Sequence, residues 1–326
     1  MKKMVRSKWK LLLLAAALVA AGVVSIFLFT QDTDAPIYVI YIPKTEISSN
    51  DFWSSVLAGA EMAAKENNVN LDITSPTDEL HVEEQNELIM EAIEKHPDVI
   101  AVSPSSRSEN IKALSAVKEA GIRLIFIDSK TDEEIQDVCI STDNVAAGRK
   151  MAEPMLPTLD SESKIAIVSH VRNSSTAEER ERGFREGLGD YASQVVEVVY
   201  SNSMKEVGAE VTKELLIREP DITYLACLNE DSAVGAARAV KELGMERQIC
   251  IVGFDNSTEE IIRLEEGVFS AIVVQKAFSM GYLGIENAAK LARGEAVAAY
   301  IDSGSVLITK ENMYMEENQE LLFPFY

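Results

Sequence analysis

Short apolar runs alternate with longer helical segments from Pro36 to about Gly294, and this alternation constrains the fold more than any other feature of the sequence. Runs such as PIYVIYIP and RLIFIDS are bounded by turn residues, whereas segments such as DFWSSVLAGAEMAAKENN carry apolar residues at helical spacing. The pattern is typical of strand–helix–strand units in parallel sheets. Roughly ten such units are too many for one small sheet, so we predict an α/β protein with two lobes.

Polar residues end many of the predicted strands. Ligands of open parallel sheets bind outside the carboxyl ends of the strands, so such residues are candidate ligand contacts. They are Ser103, Asp128, Asp143, His170, Asn229, Asp255 and Gln275. Asp, Ser and Asn at these junctions also cap the following helix, and that alternative stays open for each of them. Gln275 is a poor cap, and its alternative is a polar residue at a sheet edge.

The charge of the chain is strongly negative and unevenly placed. The 326 residues carry a formal net charge of −22, yet the first ten, MKKMVRSKWK, hold five basic residues and no acidic one, which leaves −27 on the remainder. A protein that binds nucleic acid needs a basic face to neutralise phosphates. The composition therefore argues against nucleic-acid binding and weakens the case for a strongly anionic ligand.

Nineteen uncharged residues, Leu11 to Phe29, follow the basic start. As a helix they would span about 28 Å, close to the ~30 Å hydrocarbon core of a membrane. No A-x-A cleavage pattern follows Phe29, and no Cys for a lipid anchor lies near the end of the run. We therefore predict an uncleaved signal anchor that holds the protein at the outer face of the cytoplasmic membrane, with a cytoplasmic tail at 1–10, a transmembrane helix at 11–30 and a linker at 31–35. A long cleaved signal peptide and a buried core helix are the alternatives.

The sequence offers little for catalysis or for a metal. It lacks G-x-S-x-G, G-x-x-x-x-G-K-[ST] and a G-x-G-x-x-G after the first strand, so a hydrolase or nucleotide-binding site has no motif to support it. The histidines show no i,i+4 pairing for a metal; they are His81 and His96, predicted to be solvated, and His170, a candidate for the cleft. The cysteines lie far apart in apolar runs and are predicted to be buried thiols; they are Cys139, Cys227 and Cys250. We expect a protein that is not an enzyme and needs no cofactor or metal.

Seven motifs of the chain, in this order and spacing, resemble those of the type I periplasmic binding proteins, in the ribose-binding and LacI-like superfamily. They are NDFWSSVLAGAEMAA, IFIDS, STDNVAAGRKMAE, EERERGFREGL, LNEDSAVGAARAV, VGFDNSTEE and VVQKAFSMG. The resemblance extends from Pro36 to about Gly304. It implies two α/β lobes, joined by a three-strand hinge, that close around a monosaccharide. The implied N-terminal lobe comprises 36–142 and 276–302, and the C-terminal lobe 143–275 and 303–326.

The resemblance also implies which residues contact the sugar. Those at matching positions are Asn50, Phe52, Trp53, Asp128, Arg180, Asn229, Asp255 and Gln275, with Ser129 and His170 as weaker candidates. Phe52 and Trp53 would stack on the sugar; their alternative is packing of the first helix against the core. Ser129 stands where ribose binders carry an arginine. Glu230 replaces the aspartate of the family's common Asn-Asp pair, and a stretch with Tyr200-Ser201-Asn202 replaces the hinge-side Asp/Trp pair of ribose binders. These departures leave the identity of the pentose open.

The chemistry of these residue types supports a sugar independently of the resemblance. Sugar hydroxyls both donate and accept hydrogen bonds. An aspartate accepts from two hydroxyls, an arginine donates to two, and Asn or Gln does both. A few such bonds and an aromatic face suffice for micromolar affinity, about −8 kcal/mol.

Two partners are compatible with such a binding protein. The predicted anchor and the absence of a lipid-anchor Cys resemble extracytoplasmic pentose sensors, D-xylose being the known case, that signal to a membrane histidine kinase of a two-component system. The alternative is the substrate-binding component of a sugar ABC importer with a long signal peptide. A LacI-type repressor would need a basic DNA-binding headpiece, and an apolar segment stands in that place.

Overall fold

The computed structural model describes residues 35–46 and 50–323. The strands in these residues are β1 (Ile37–Ile42), β2 (Val69–Ile73), β3 (Val99–Val102), β4 (Arg123–Ile127), β5 (Val138–Ser141), β6 (Ile165–Ser169), β7 (Val195–Tyr200), β8 (Tyr224–Cys227), β9 (Cys250–Phe254), β10 (Phe269–Gln275), β11 (Tyr300–Asp302) and β12 (Ser305–Ile308). The α-helices are α1 (Asp51–Glu66), α2 (Val82–Glu94), α3 (Ile111–Glu119), α4 (Asn144–Ala152), α5 (Ser175–Leu188), α6 (Lys205–Arg218), α7 (Glu230–Glu242), α8 (Thr258–Glu266), α9 (Ala277–Ala292) and α10 (Glu316–Leu322). Short 3₁₀ turns lie at Leu156–Thr158 and Gly189–Gln194.

The strands of the described residues form two six-stranded sheets. The first has the order β11-β5-β4-β3-β1-β2, and the second has the order β12-β10-β9-β8-β6-β7. We call the first sheet with α1–α3 and α9 the first lobe, and the second sheet with α4–α8 and α10 the second lobe. The predicted two-lobe α/β fold is confirmed.

The sheets are buried because helices cover both faces. All four residues of β3, β5 and β8 are buried, as expected for parallel strands covered on both sides. Each lobe has two apolar clusters, one on each face of its sheet. The continuous apolar runs of the sequence are therefore the centres of the two sheets.

Two glycines let α1 and α9 pack at backbone distance. A Cβ on Gly59 would lie 2.0 Å from the carbonyl oxygen of Phe278, and a Cβ on Gly281 would lie 1.9 Å from that of Val56. These helices lie side by side on one face of the first sheet. Their close contact fixes the start of α1, which faces the second lobe.

Three chain crossings connect the lobes, after β5, after β10 and between β11 and β12. At the crossings the hydroxyls of Thr142 and Ser303 are 3.2 Å apart, and Asp302 accepts hydrogen bonds from the backbone N–H of Asp143 and Gly304. The sequence did not predict β11, β12 or α10. β11 has only three residues and lacks an apolar run, and β12 pairs antiparallel with β10, unlike every other pairing in the two sheets.

The cysteines of the chain are free thiols, and two of them are buried as predicted. Burial raises the pKa of Cys139 to about 12. Cys250 is the exception, because it is the first residue of β9 and is only half-buried. Its Sγ lies 3.2 Å from the Ser270 hydroxyl.

No helix within 35–46 and 50–323 has the length and apolar character needed to cross a membrane. The predicted tail at 1–10, the anchor at 11–30 and all of the linker but Ala35 lie outside the described residues. These three assignments remain predictions.

Candidate functional site

A narrow cavity of about 30 Å³ lies between the carboxyl ends of the two sheets. This volume is well below the range for ligand sites, about 300–1,000 Å³. Its lining consists of Lys44, Asn50, Phe52, Trp53, Glu79 and Asp128 from the first lobe, His170, Thr176, Arg180, Asn229 and Asp255 from the second lobe, and Gln275 at the crossing after β10. The structure thus brings together the eight main sequence candidates and His170. Ser129 is not part of the lining; its hydroxyl supports Asp128 from behind.

Two aspartates end central strands in a backbone conformation that side chains rarely adopt. Asp128 follows β4 with φ 71°, and Asp255 follows β9 with φ 86°. Each donates its N–H to the next strand, Asp128 to the carbonyl of Ile140 at 2.8 Å and Asp255 to that of Val273 at 2.9 Å. Such strain costs about 1–3 kcal/mol per residue and is common at binding sites. Neither residue is the N-cap of the helix that follows it in the chain, so capping of that helix does not account for them.

Asp128 is held by two first-lobe donors. The Lys44 ammonium lies 3.0 Å from Oδ2, and the Ser129 hydroxyl donates to the same oxygen at 2.6 Å. Burial raises the pKa of Asp128, but the charges of Lys44 and Arg180 outweigh burial and hold the pKa below its ordinary value. Asp128 is therefore a fixed carboxylate.

Asp255 and Gln275 are joined to each other. The Gln275 amide donates to Asp255 Oδ1 at 2.7 Å, and the N–H of Glu230 donates to Oδ2 at 3.1 Å. Burial raises the pKa of Asp255, and the charge of Arg180 opposes that shift. Oε1 of Gln275 is buried, and no hydrogen-bond donor among the described residues reaches it. This cavity-lining side chain therefore holds an unused acceptor.

Arg180 is positioned by neutral oxygens and an aromatic ring. Its Nε donates to Asn144 Oδ1 at 2.8 Å, its Nη1 donates to the Leu228 carbonyl at 2.7 Å, and its guanidinium lies 3.8 Å from the ring centre of Phe254. Arg180 therefore donates to Asn144 and Leu228 and makes no hydrogen bond with Asp255. Asp255 acts on Arg180 only through its charge.

The R-x-x-G-F spacing around Arg180 has a structural reason. Gly183 lies one turn further along α5, where a Cβ would meet the Val145 carbonyl oxygen at 2.1 Å. Phe184 is fully buried in the second-lobe core. Gly183 thus allows α5 to pack closely against α4, and Phe184 packs in the core of the second lobe. Arg180 lies on the same helix and lines the cavity.

The two asparagines combine capping with cavity lining. Asn50 accepts from the Trp53 N–H at 3.0 Å, and Asn229 accepts from the Ser232 N–H at 3.0 Å. The amide of Asn50 also donates across the cleft to Asp231 at 3.3 Å. Both asparagines therefore cap a helix and also line the cavity.

Phe52 and Trp53 likewise have two roles. Their rings meet edge to face with centroids 5.0 Å apart, and both belong to a first-lobe core cluster. Each also lines the cavity. Core packing holds these rings in place, and one part of each faces the space between the lobes.

His170 is a neutral cavity residue. Burial and the charges of Arg180 and Lys44 hold its pKa well below the ordinary value. Its Nε2 lies 3.0 Å from the Thr176 hydroxyl, and its buried Nδ1 meets no partner among the described residues. The other histidines, His81 and His96, are exposed as predicted.

Three further residues of the lining were not predicted from the sequence; they are Lys44, Glu79 and Thr176. Lys44 follows the end of β1 after Pro43, so the rule that selected the other strand ends would have found it. Glu79 lies in the long connection between β2 and α2, which no periodicity marks. Burial raises the pKa of Glu79, and the charge of Lys44 opposes the shift. Both side chains are buried, at 2% and 7% exposure.

The family model for the periplasmic binding protein domain matches residues 40–296. The chain belongs to this family. Its members bind solutes and are not enzymes. Within the described ranges no cluster of His, Cys, Asp and Glu is arranged to hold a metal ion.

Individual relatives extend over the same part of the chain. The ribose import binding protein of Bacillus subtilis is 25% identical over 263 residues, which are 81% of this chain and 85% of the relative. The crystal structure of a sugar transporter from Clostridium phytofermentans is 41% identical, with a TM-score of 0.80 over 84% of this chain and 99% of that one. A carbohydrate transporter solute binding protein from Agrobacterium radiobacter, in complex with D-arabinose, is 26% identical, with a TM-score of 0.84 over 88% and 99%.

Proposed function

We propose that this periplasmic binding protein binds one neutral monosaccharide between its lobes. The observation that carries the proposal is the mixed lining of the cavity. Carboxylates accept, Lys44 and Arg180 donate, and Asn50, Asn229 and Gln275 do both. Phe52 and Trp53 add apolar surface for the C–H faces of a sugar ring. Such a lining matches vicinal hydroxyls better than it matches an apolar or singly charged ligand.

The charges of the cavity favour a neutral ligand. Two cations, Lys44 and Arg180, face three carboxyl groups, Glu79, Asp128 and Asp255. A phosphate or a sugar acid would meet carboxylates that are already buried, and an amine would meet two buried cations. Charges that nearly cancel leave hydrogen bonding as the main source of affinity, and bonds to charged groups contribute about 1.5–3 kcal/mol each.

Pentoses are the first candidates, with D-xylose ahead of ribose and arabinose. The cavity is small, and two of the relatives are a ribose import binding protein and a protein solved with D-arabinose. Ser129 stands behind Asp128 where ribose binders carry an arginine, and we therefore place D-xylose ahead of D-ribose.

We further propose that the bound sugar is reported to a membrane histidine kinase. The uncharged segment at 11–30 would anchor the protein at the outer face of the cytoplasmic membrane, and closure of the N-terminal lobe (36–142 and 276–302) on the C-terminal lobe (143–275 and 303–326) would present a new surface. The second candidate is the binding component of a sugar ABC importer, which the transporter relatives favour. Mass spectrometry of the N-terminus separates them: a start near Met1 supports the sensor, and a soluble species that starts near Ala35 supports the importer.

Thermal denaturation with sugars tests the binding proposal. D-xylose, D-ribose and arabinose should be added to the purified protein, and at least one should raise Tm by mass action. Asp255→Asn should abolish or strongly reduce the shift, while Asp221→Asn, a change of a surface carboxylate that pairs with Lys164, should leave it intact. A Tm raised only by nucleobases or amino acids would refute the sugar assignment.

The kinase proposal has its own test. Coupling between two binding events is reciprocal. If the pentose tightens the association of this protein with the kinase sensor domain by some factor, the sensor domain should tighten pentose binding by the same factor. Titration calorimetry with and without the sensor domain measures the factor. Equal pentose affinity in both experiments would remove the signalling role and leave the binding role intact.

A further inference from the structure

Lys44 is an unusual residue for a closed sugar site. Its side chain is 2% exposed and is among the largest fully buried side chains of the described residues. It lines the cavity, and its ammonium lies 3.0 Å from Asp128 Oδ2. A buried lysine is costly, since a charge taken out of water must be paired and hydrogen-bonded.

The hydrogen-bonding needs of Asp128 alone do not explain this lysine. The Ser129 hydroxyl already donates to Oδ2 at 2.6 Å, and the N–H of Ser129 and the backbone of the strand end are engaged elsewhere. A shorter donor at position 44 would leave the carboxylate supported and the cavity larger. What lysine adds is length: it reaches from the end of β1 to Asp128 and occupies space within the first-lobe half of the cavity.

A second carboxyl group of the first lobe, Glu79, interacts with Lys44 through its charge. It lines the same cavity, it is buried, and it is close enough to Lys44 for the two charges to attract. Lys44 is thus paired with Asp128 and also attracted by the charge of a second first-lobe carboxyl group, Glu79. A long side chain that is paired in this way cannot swing aside to admit a larger ligand without leaving buried carboxylates unpaired.

We propose that Lys44, fixed by Asp128, limits the length of the cavity and so selects five-carbon sugars over their six-carbon counterparts. This specificity role rests on the proposed monosaccharide-binding function. D-xylose and D-glucose form a matched pair, because the pyranose rings differ only by one CH₂OH group, and L-arabinose and D-galactose form a second such pair. Lys44→Ala removes the four side-chain atoms beyond Cβ, which is more than the two non-hydrogen atoms of CH₂OH.

The test is the ratio of hexose Kd to pentose Kd within a matched pair, measured by titration calorimetry on the whole protein. One added group in a fitted pocket is discriminated by about 10–200-fold. We therefore expect a ratio of Kd values on the order of a hundred or more in the native protein. In Lys44→Ala this ratio should fall at least tenfold. Lys44→Met is uncharged and only one side-chain atom shorter than lysine, so it should keep more of the ratio than Lys44→Ala does. Lys44→Ser serves as the second shortened variant, because its hydroxyl can still donate to Asp128.

The outcomes separate this inference from the binding proposal. If the native protein binds no sugar of either pair, the proposed function fails and the inference with it. If the native protein binds a pentose but the ratio is the same in Lys44→Ala, Lys44→Ser and the native protein, the inference alone is wrong. Equal loss of affinity for both sugars of a pair in folded Lys44→Ser, judged by an unchanged circular dichroism spectrum, would show that Lys44 acts only as a hydrogen-bond donor to the sugar and would also overturn the length role.

Discussion

Asp128 and Asp255 end strands at corresponding places in the two sheets, yet their carboxyl groups have opposite electrostatic surroundings. Lys44 and Arg180 hold the pKa of Asp128 down, whereas burial dominates at Asp255 and raises its pKa. Asp128 therefore stabilises the fold through a buried ion pair. In the protein without ligand, the charge of the buried Asp255 carboxylate is not fully compensated. Such perturbed groups are common at functional sites, as expected for a residue that contacts a ligand.

The two aspartates should differ in their effect on stability. Asp128→Asn leaves the buried Lys44 without its anion, and breaking a buried pair in this way costs about 3–5 kcal/mol. Asp255→Asn should cost clearly less, because the free Oε1 of Gln275 can accept from the new amide after a rotation of the Gln275 side chain. Urea denaturation without sugar measures both free energies of unfolding. A larger loss for Asp255→Asn than for Asp128→Asn would contradict this assignment.

His170 should make stability depend on pH below its ordinary pKa. In the folded protein its pKa is far below 6.5, because of burial and of the charges of Arg180 and Lys44. The unfolded chain therefore binds a proton that the folded protein does not, and stability present above pH 6.5 is lost as the pH falls, by up to about 1.4 kcal/mol per pH unit. Denaturation at pH 7 and at pH 5.5 should show a smaller loss in His170→Gln than in the native protein. The same loss in both proteins would show that other groups cause the pH dependence.

Residue by residue, strand ends proved the most informative feature of the sequence. Asp255 and Gln275 were identifiable because a polar residue directly after an apolar run has few structural reasons to be there. Their direct hydrogen bond was not predictable, since it depends on how β9 and β10 are aligned. Glu79 was not predictable either, because its burial depends on tertiary contacts of a long loop with no regular spacing.

At the scale of the elements, acidic side chains of each lobe accept hydrogen bonds from a helix N-terminus of the other lobe. Glu230, at the start of α7, accepts from the backbone N–H of Asp51 and Phe52 at 3.2 and 3.3 Å, and these N–H groups begin α1 of the other lobe. In return Asp51 Oδ2 accepts from the N–H of Thr258, the first residue of α8, at 3.1 Å. Negative charge at a helix N-terminus is favourable. These bonds cross from lobe to lobe and therefore stabilise the closed arrangement.

Glu230→Gln should weaken sugar binding although Glu230 does not line the cavity. The change removes the ion pair with Lys205, 2.8 Å away, and the charge at the start of α1. A loss of about 1.4 kcal/mol of closure energy, within the range for bonds to charged groups, corresponds to a tenfold higher Kd. Stopped-flow measurements should show the change mainly in the dissociation rate. Glu242→Gln, which breaks a surface ion pair with Lys213 inside the second lobe, is the matched control and should not change Kd.

Gly281→Ala tests the backbone contact between α1 and α9. The added methyl group would lie 1.9 Å from the Val56 carbonyl oxygen, so the helices must move apart. We expect a loss of about 1–3 kcal/mol in the free energy of unfolding, the usual cost of overpacking. Gly121→Ala serves for comparison, because no atom lies within 4 Å of a Cβ there and its cost arises only from φ 76°. Equal stability of Gly281→Ala and the native protein would mean that the helices adjust without cost.

Helix and strand order was largely predictable from periodicity, and the hinge strands were not. Parallel strands covered on both faces carry continuous apolar runs, which is why β3, β4 and β8 were clear in the sequence. β11 and β12 are short and half-buried, and they form only because the chain crosses there between two sheets that already exist. The alignment of these two strands depends on tertiary contacts, so no periodic pattern in the sequence predicts it.

At the scale of the whole molecule, the site exists only where the two lobes meet. The first lobe supplies Asn50, Asp128 and an aromatic pair, and the second supplies Arg180, Asn229 and Asp255. A ligand that contacts both sets favours the closed arrangement by its difference in affinity for the closed and open forms. Charge, aromatic surface and closure energy are therefore combined in one cavity, and this combination is what we propose a neutral sugar recognises.

Titration calorimetry of the purified protein with D-xylose, D-ribose and L-arabinose tests this central claim most directly. We expect one saturable site per chain for at least one of them, with Kd in the micromolar range or below. We also expect that Asp255→Asn raises that Kd by about tenfold to a hundredfold, consistent with the loss of hydrogen bonds to a charged group. No measurable heat with any neutral monosaccharide, together with saturable binding of an anionic or purely aromatic ligand, would contradict the account.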